Sequence, residues 1–204
     1  MIIMLFLAFL ITSYKSITLD VNNMMSLYGG ITFDMAENFA YQINNETNKD
    51  YYVYIDSIGG SVEAGNRIIN EIQKYDLPCI THKAYSMAAA IFQGCNKRYI
   101  IPYGKLMFHN MTYAKNSNYF YQLEQEYIDT ILRHTNLSRK ELLQKMKKEW
   151  YIIGKNIIAF NLADEMVHVK CTPALTRKTT KNRKSMCPTI HSQNDNFRCK
   201  LLGC

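Results

Sequence analysis

Apolar residues along the middle of the chain recur with two different periods, and the alternation between them predicts the elements. Tyr51-Tyr-Val-Tyr-Ile55 is a short aromatic and β-branched run that favours a strand, and Gly59-Gly60 breaks it. Val62, Ile68, Ile69, Ile72 and Tyr75 then fall at helical spacing, predicting an amphipathic helix over 62–75. Pro78–His82 reads as a second strand, and Met87–Phe92 as a buried helix rich in small residues. Tyr99–Ile101 and Leu106–Phe108 flank the turn signal Pro102-Tyr-Gly-Lys105 and predict a hairpin or strand pair. A long helix is expected over 119–134. Ser138-Arg-Lys-Glu141 has the form of a capping box opening another over 139–148. A last body helix is expected from Lys155 to Phe160, with Asn161 suited to the left-handed residue that ends it. Strand and helix in alternation predict an α/β domain.

Composition narrows this only a little. A chain of 204 residues, 48% hydrophobic and 20% charged with nine glycines and four prolines, excludes collagen-like and wholly disordered classes. A net charge of +7 suggests a nucleic-acid binder until it is located. Eight of the 24 Lys and Arg fall in residues 168–204 against the single Asp195, and the preceding residues balance to zero. The basic character belongs to a tail, either a solvated segment or a contact for an acidic partner or nucleic acid. No specific nucleic-acid contact is expected of the body.

At the other end, Ile2–Leu10 is apolar but too short for a bilayer span, which needs about 20 residues. Residues 1–16 read as a signal-peptide core with Ser13 and Ser16 near a cleavage site, or as a buried first strand or a membrane-dipping anchor. Cys79 and Cys95 lie in the body, while Cys171, Cys187, Cys199 and Cys204 lie in the tail. The tail thiols are open to disulfides, to zinc binding with His168 and His191, or to no bond at all. Sequons at Asn45, Asn110 and Asn136 are close to the number, about two, expected by chance.

Three segments place chemistry-bearing residues where strands end. In Asp56-Ser-Ile-Gly-Gly-Ser61, paired glycines let the backbone turn sharply and show its N–H groups to a ligand. In Ala84-Tyr-Ser-Met-Ala-Ala-Ala90, a serine sits between a strand and a helix, either as a nucleophile or as a helix cap. In Leu106-Met-Phe-His-Asn110, His109 closes an apolar strand, either facing a cleft or simply packed.

Together these segments resemble the Clp protease proteolytic subunit (ClpP) family. Tyr54–Gly65 is similar to its glycine-rich segment, Ser86-Met-Ala-Ala to its nucleophile segment, and Lys97-Arg98…Pro102…Met107-Phe-His109 to its histidine strand. Leu27–Thr32 resembles the strand upstream, and Trp150–Val167 the last body helix. The resemblance covers about 27–168 and implies a crotonase-like α/β fold of repeated β-β-α units with a protruding handle helix at 119–134. It divides the chain into an apolar start (1–16), a peptidase domain (17–168) and a tail (169–204).

It further implies a serine endopeptidase with Ser86 as nucleophile, His109 as general base, and Gly60 and Met87 N–H groups as the oxyanion hole. Gly59, Ser61, Asn110, Met111 and Thr112 would line the substrate strand. The family's aspartate falls opposite Glu149, one methylene longer, or else a solvated glutamate pairing with Lys145. No metal or organic cofactor is required by that chemistry. Protein or peptide substrates, seven-membered rings stacked as a tetradecamer, and a Clp-type ATPase partner are implied as well. Two departures stand against this: Asn110–Ser117 lacks the family's proline and glycines, and the apolar start replaces the segment that meets the ATPase. With Glu149 in place of the family's aspartate and the substrate strand altered, a non-catalytic ring subunit or binding protein is the competing expectation, and an acyl-CoA hydratase of the same fold a third. The compartment is cytoplasmic or organellar by resemblance, and secretory or membrane-associated if the start is a signal.

Overall fold

The structure is a computed structural model that describes residues 14–46, 50–111 and 118–176. The apolar start up to residue 13, Thr112 and the tail beyond residue 176 lie outside the described residues. Seven strands form one sheet, alternating with helices for most of the chain.

Strand β1 (Lys15–Leu19) is followed by β2 (Met24–Ile31) and helix α1 (Phe33–Asn45). Thr32 caps α1 by accepting from the Met35 N–H at 3.2 Å, and Ala36, Phe39 and Ile43 form its buried stripe. Strand β3 (Tyr52–Gly60), helix α2 (Val62–Lys74), strand β4 (Cys79–Tyr85) and helix α3 (Met87–Gly94) follow. On α2 the inward face is Ala64, Gly65, Ile68, Ile69 and Ile72, the spacing legible in the sequence. Strand β5 (Arg98–Phe108) leads to α4 (Asn118–Leu132), α5 (Arg139–Met146), β6 (Trp150–Ile153), α6 (Lys155–Ala159), β7 (Glu165–Cys171) and the short α7 (Pro173–Thr176). The capping box at Ser138 and Glu141 forms, and Asn161 is left-handed with φ 55°. Among the described residues, no helix is long and apolar enough to cross a membrane.

The sheet runs β1-β7-β5-β4-β3-β2, parallel throughout, with β6 added antiparallel to β5. Strands β3 and β4 are lined by residues buried on both faces, as a covered parallel sheet requires.

Three sequence expectations are corrected here. Tyr99–Ile101 and Leu106–Phe108 do not pair with each other. They are the two ends of one strand, both parallel to β4, and Pro102–Gly104 bulges out between them. Pro102 has no N–H for the ladder, and Tyr103, 81% exposed, takes φ 61°. Trp150–Val167 is a strand, a short helix and the start of another strand rather than one helix. Residues 169–171 continue β7, with Val169 and Cys171 in register with Ile17 and Leu19 of β1. The sheet thus extends past the expected start of the tail.

On α4 the aromatic stripe divides. Leu123, Tyr127, Ile128 and Ile131 are buried in this chain's own core, whereas Tyr119 and Tyr121 at the helix start are about half exposed.

Candidate active site

Only Ser86 separates β4 from α3, and so abrupt a turn forces its backbone to φ 53°, ψ −126°. The turn into α6 has nearly the same geometry, φ 57° and ψ −128°, but there the residue is Gly154. A glycine adopts this region without a Cβ penalty, whereas a serine carries about 1–3 kcal/mol of strain. The turn is held on every side: the Ser86 N–H donates to the Met107 carbonyl at 2.8 Å, and all eight residues of α3 are buried. A Cys79–Cys95 disulfide, Cα–Cα 5.9 Å, ties the start of β4 to the end of α3. Closing a loop of that size contributes about 3 kcal/mol.

Ser86 occupies the cap position of α3, yet its side chain makes no capping hydrogen bond. Its Oγ lies instead 2.7 Å from His109 Nε2. The simple capping account of this serine fails. One measurable consequence is a reversed order of stability. Ser86→Gly and Ser86→Ala both lose the hydroxyl, but only glycine relieves the backbone. The glycine variant should be the more stable by about 1–2 kcal/mol, the opposite of the order within a helix. Equal melting temperatures would show that the turn is unstrained.

His109 follows the last residue of β5, half-buried. Its Nδ1 lies 2.6 Å from the main-chain carbonyl oxygen of Asn110. A carbonyl can only accept, so Nδ1 carries the hydrogen, and the Nε2 lone pair faces the Ser86 hydroxyl. Asn110 is itself anchored by its N–H, which donates to the Met146 carbonyl at the end of α5.

Glu149 is in the right neighbourhood but not in contact with the ring. Phe108 pairs with Trp150 across the β5–β6 ladder, so one further step along the register sets Glu149 opposite His109. Its side chain is exposed and accepts from the Tyr151 hydroxyl at 2.9 Å. The carboxylate raises the Tyr151 phenol above its ordinary range by that hydrogen bond. The group on His109 Nδ1 is therefore a backbone carbonyl, which no reading by residue type could reveal.

The glycine strand closes the site from the other side. A Cβ on Gly59, φ 92°, would lie 2.6 Å from the Tyr85 carbonyl and 2.7 Å from Ser86 Cβ, and one on Gly60 would meet the Ile31 backbone. Only glycines let β3 pass this close to the turn. Buried Ser57 shapes that end, donating to the Gly29 carbonyl at 2.5 Å and accepting from the Gly59 N–H at 3.1 Å. Gly59 is itself buried, and the Ser61 hydroxyl caps α2 by accepting from the Ala64 N–H. The Met87 N–H opens α3 and has no partner within the helix.

Among the described residues, Gly60, Val62, Ser86, His109, Met111 and Tyr127 line one cavity of about 210 Å³. Asn110 is exposed at its margin. Two larger hollows, about 350 and 540 Å³, lie elsewhere and contain neither Ser86 nor His109. No group of three or more potential metal ligands occurs among the described residues.

Parallel strands β3, β4 and β5 thus deliver a glycine turn, a serine turn and a histidine to the same end of one covered sheet, the arrangement of the crotonase-like α/β class. Within that class the Clp protease family model matches residues 12–170, and the chain belongs to this family. It is 25% identical over 138 residues to an "ATP-dependent Clp protease proteolytic subunit" of Borrelia garinii subsp. bavariensis, covering 61% of this chain and 71% of that protein. A protein of the same description from Carsonella ruddii is 26% identical over 161 residues, covering 71% of this chain and 83% of its own length.

Proposed function

We propose that this Clp-type protease family member is a serine endopeptidase acting through an acyl-enzyme on Ser86. The observation that carries this reading is the 2.7 Å contact between Ser86 Oγ and the Nε2 lone pair of His109. A serine hydroxyl is a weak nucleophile until a base takes its proton. As Oγ bonds to the peptide carbonyl carbon, its proton moves to His109 Nε2 and the carbonyl oxygen becomes an oxyanion. The Gly60 and Met87 N–H groups are assigned to that oxyanion, each worth roughly 3 kcal/mol in the transition state. Nε2 then returns the proton to the leaving amine as the C–N bond breaks, and water hydrolyses the acyl-enzyme by the same steps in reverse. Main-chain groups at Met111 are assigned to the peptide, as an added strand.

Clp-type rings are proposed as the assembly, which would cover the half-exposed Tyr119 and Tyr121 at the start of α4. An ATPase partner is proposed by kinship with the proteins named above. A fluorophosphonate probe tests the chemistry: it should label the assembled protein at Ser86 and fail on Ser86→Ala. Absence of label from correctly assembled wild type would leave a non-catalytic ring subunit.

The Asn110 carbonyl holds the resting imidazole in this proposal. Glu149→Gln should then lower kcat/KM by less than about tenfold, far short of the roughly 10⁴-fold loss when a triad carboxylate is removed. A loss of that larger size would restore Glu149 as the third member, reached by rotation away from Tyr151.

A further inference from the structure

The Ser86 turn is strained, and strain of that kind persists only where the surroundings fix the backbone on both sides. One side is fixed by the Ser86 N–H, which donates to the Met107 carbonyl. The other side is α3, and burial alone fixes it poorly. Hydrophobic burial has no direction, so it resists lifting a helix off its neighbours more than sliding it along them. Ala88, Ala89 and Ala90 give α3 few long side chains to lock against the elements around it. Gln93 donates to the Leu162 carbonyl, a tie to the approach to β7 rather than to β4. A slide of α3 relative to β4 would let Ser86 return to an ordinary backbone conformation and carry its hydroxyl away from His109.

The Cys79–Cys95 disulfide stands where it would block that slide. Cys79 opens β4 inside the sheet, in register with Val53 on β3 and Arg98 on β5. Cys95 is the residue that ends α3. The bond therefore joins the far ends of the two elements that meet at Ser86, with the Cα atoms 5.9 Å apart. Both cysteines are fully buried, and the proposed reaction uses neither. The Leu77 and Ile91 carbonyl oxygens lie 4.0 and 3.2 Å from the Cys79 and Cys95 sulfurs, so each thiol of the reduced protein has an acceptor at hand.

We propose that Cys79 and Cys95 are a positioning pair for Ser86: their disulfide holds α3 against β4, keeps the turn strained and so keeps Oγ within reach of His109. The proposal rests on Ser86 being the nucleophile. It goes beyond the stability that loop closure contributes, because it makes the reaction rate at Ser86 depend on the bond.

The test starts from oxidised protein, in which alkylation before and after reduction should show Cys79 and Cys95 bonded; free thiols at both would overturn the proposal. Melting temperatures are then compared for Ser86→Gly and Ser86→Ala, with the bond and in a Cys79→Ala/Cys95→Ala background. With the bond, the glycine variant should melt several degrees higher. Without it the turn relaxes, and the gap should close or invert, because glycine then keeps only its entropic cost. An equal gap in both backgrounds would show that packing alone holds the turn, and would overturn the proposal. A small alkyl fluorophosphonate reads the site itself. Well below the melting temperature, labelling of Ser86 should slow about a hundredfold when the bond is removed. A staple for stability alone would leave that rate unchanged. Wild type folded under a dithiol reductant repeats the measurement with no side chain removed. If neither bond-free protein folds, the disulfide is a staple for the whole domain and the positioning role is lost. Labelled wild type with an unchanged rate in the bond-free proteins overturns the positioning role and leaves the peptidase reading standing. If oxidised wild type is not labelled, the peptidase reading falls and the positioning role falls with it.

Discussion

Ser86→Ala and His109→Ala should each abolish peptidase activity, by roughly a million-fold in kcat, and the double variant should lose little more than either alone. The reason is that the two groups act as one unit. The 2.7 Å contact makes the proton acceptor available only to that hydroxyl, and the hydroxyl has no other base in reach among the described residues. Folding should survive both changes, because α3 keeps its buried residues and the β4–α3 turn keeps its hydrogen bond to Met107. Melting temperature and ring assembly serve as controls, and turnover of a quenched peptide is the readout. Substantial residual activity in Ser86→Ala, with the protein assembled, would remove Ser86 from the mechanism.

Asp164→Asn should produce the largest loss of stability from a polar substitution in this domain, about 3 kcal/mol, a fall in melting temperature of about 6–12 °C. Arg98, 1% exposed, is the largest fully buried side chain among the described residues, and it is held on all sides. Asp164 accepts from Arg98 NH2 at 2.6 Å and from the Arg98 N–H at 2.7 Å. Arg98 NH1 donates to Gln93 Oε1 and to the Asn161 carbonyl, and Gln93 in turn donates to the Leu162 carbonyl. The network joins the end of α3, the start of β5 and the approach to β7. Neutralising Asp164 strands a buried cation, which is costlier than losing the pair.

The pH dependence follows from the same contacts. Burial alone would raise the Asp164 carboxyl, but the hydrogen bonds and charge of Arg98 outweigh it and hold the carboxyl below the ordinary aspartate range. The unfolded chain therefore takes up this proton first as pH falls. The contribution is present in full above the ordinary aspartate pKa and is lost as pH drops through the depressed folded value. The gap between wild type and Asp164→Asn should accordingly be widest near neutrality and narrow below about pH 4. Chemical denaturation across that range measures it, and a neutral-pH difference under 1 kcal/mol would show that the network is not a keystone.

Much of the frame was legible because it depends on local order. The stripe Ile68, Ile69, Ile72 predicts α2, the box Ser138–Glu141 predicts the start of α5, and Asn161 predicts the end of α6. Helix α1 carries a comparable signal in Thr32 followed by Ala36, Phe39 and Ile43, although no element is expected over 33–45 above. The continuity of β5 was not legible, since Pro102-Tyr-Gly104 has the composition of a turn. Only pairing of both ends with β4 shows that the strand resumes. Strand β7 was hidden for a related reason: its partner β1 lies about 150 residues earlier, and no local pattern records that neighbour.

By itself the sequence determined the α/β alternation, the family resemblance, and three strand ends bearing Gly59-Gly60, Ser86 and His109, because periodicity and residue type are written locally. The tertiary structure decided how those ends meet. It strained Ser86 out of a capping role and gave His109 Nδ1 to the Asn110 carbonyl. It turned Glu149 toward Tyr151 and buried Tyr127 among the residues that line the cavity. Each of these is a question of which atoms lie within about 3 Å of one another, and distance between residues far apart in the chain is a property of the fold alone.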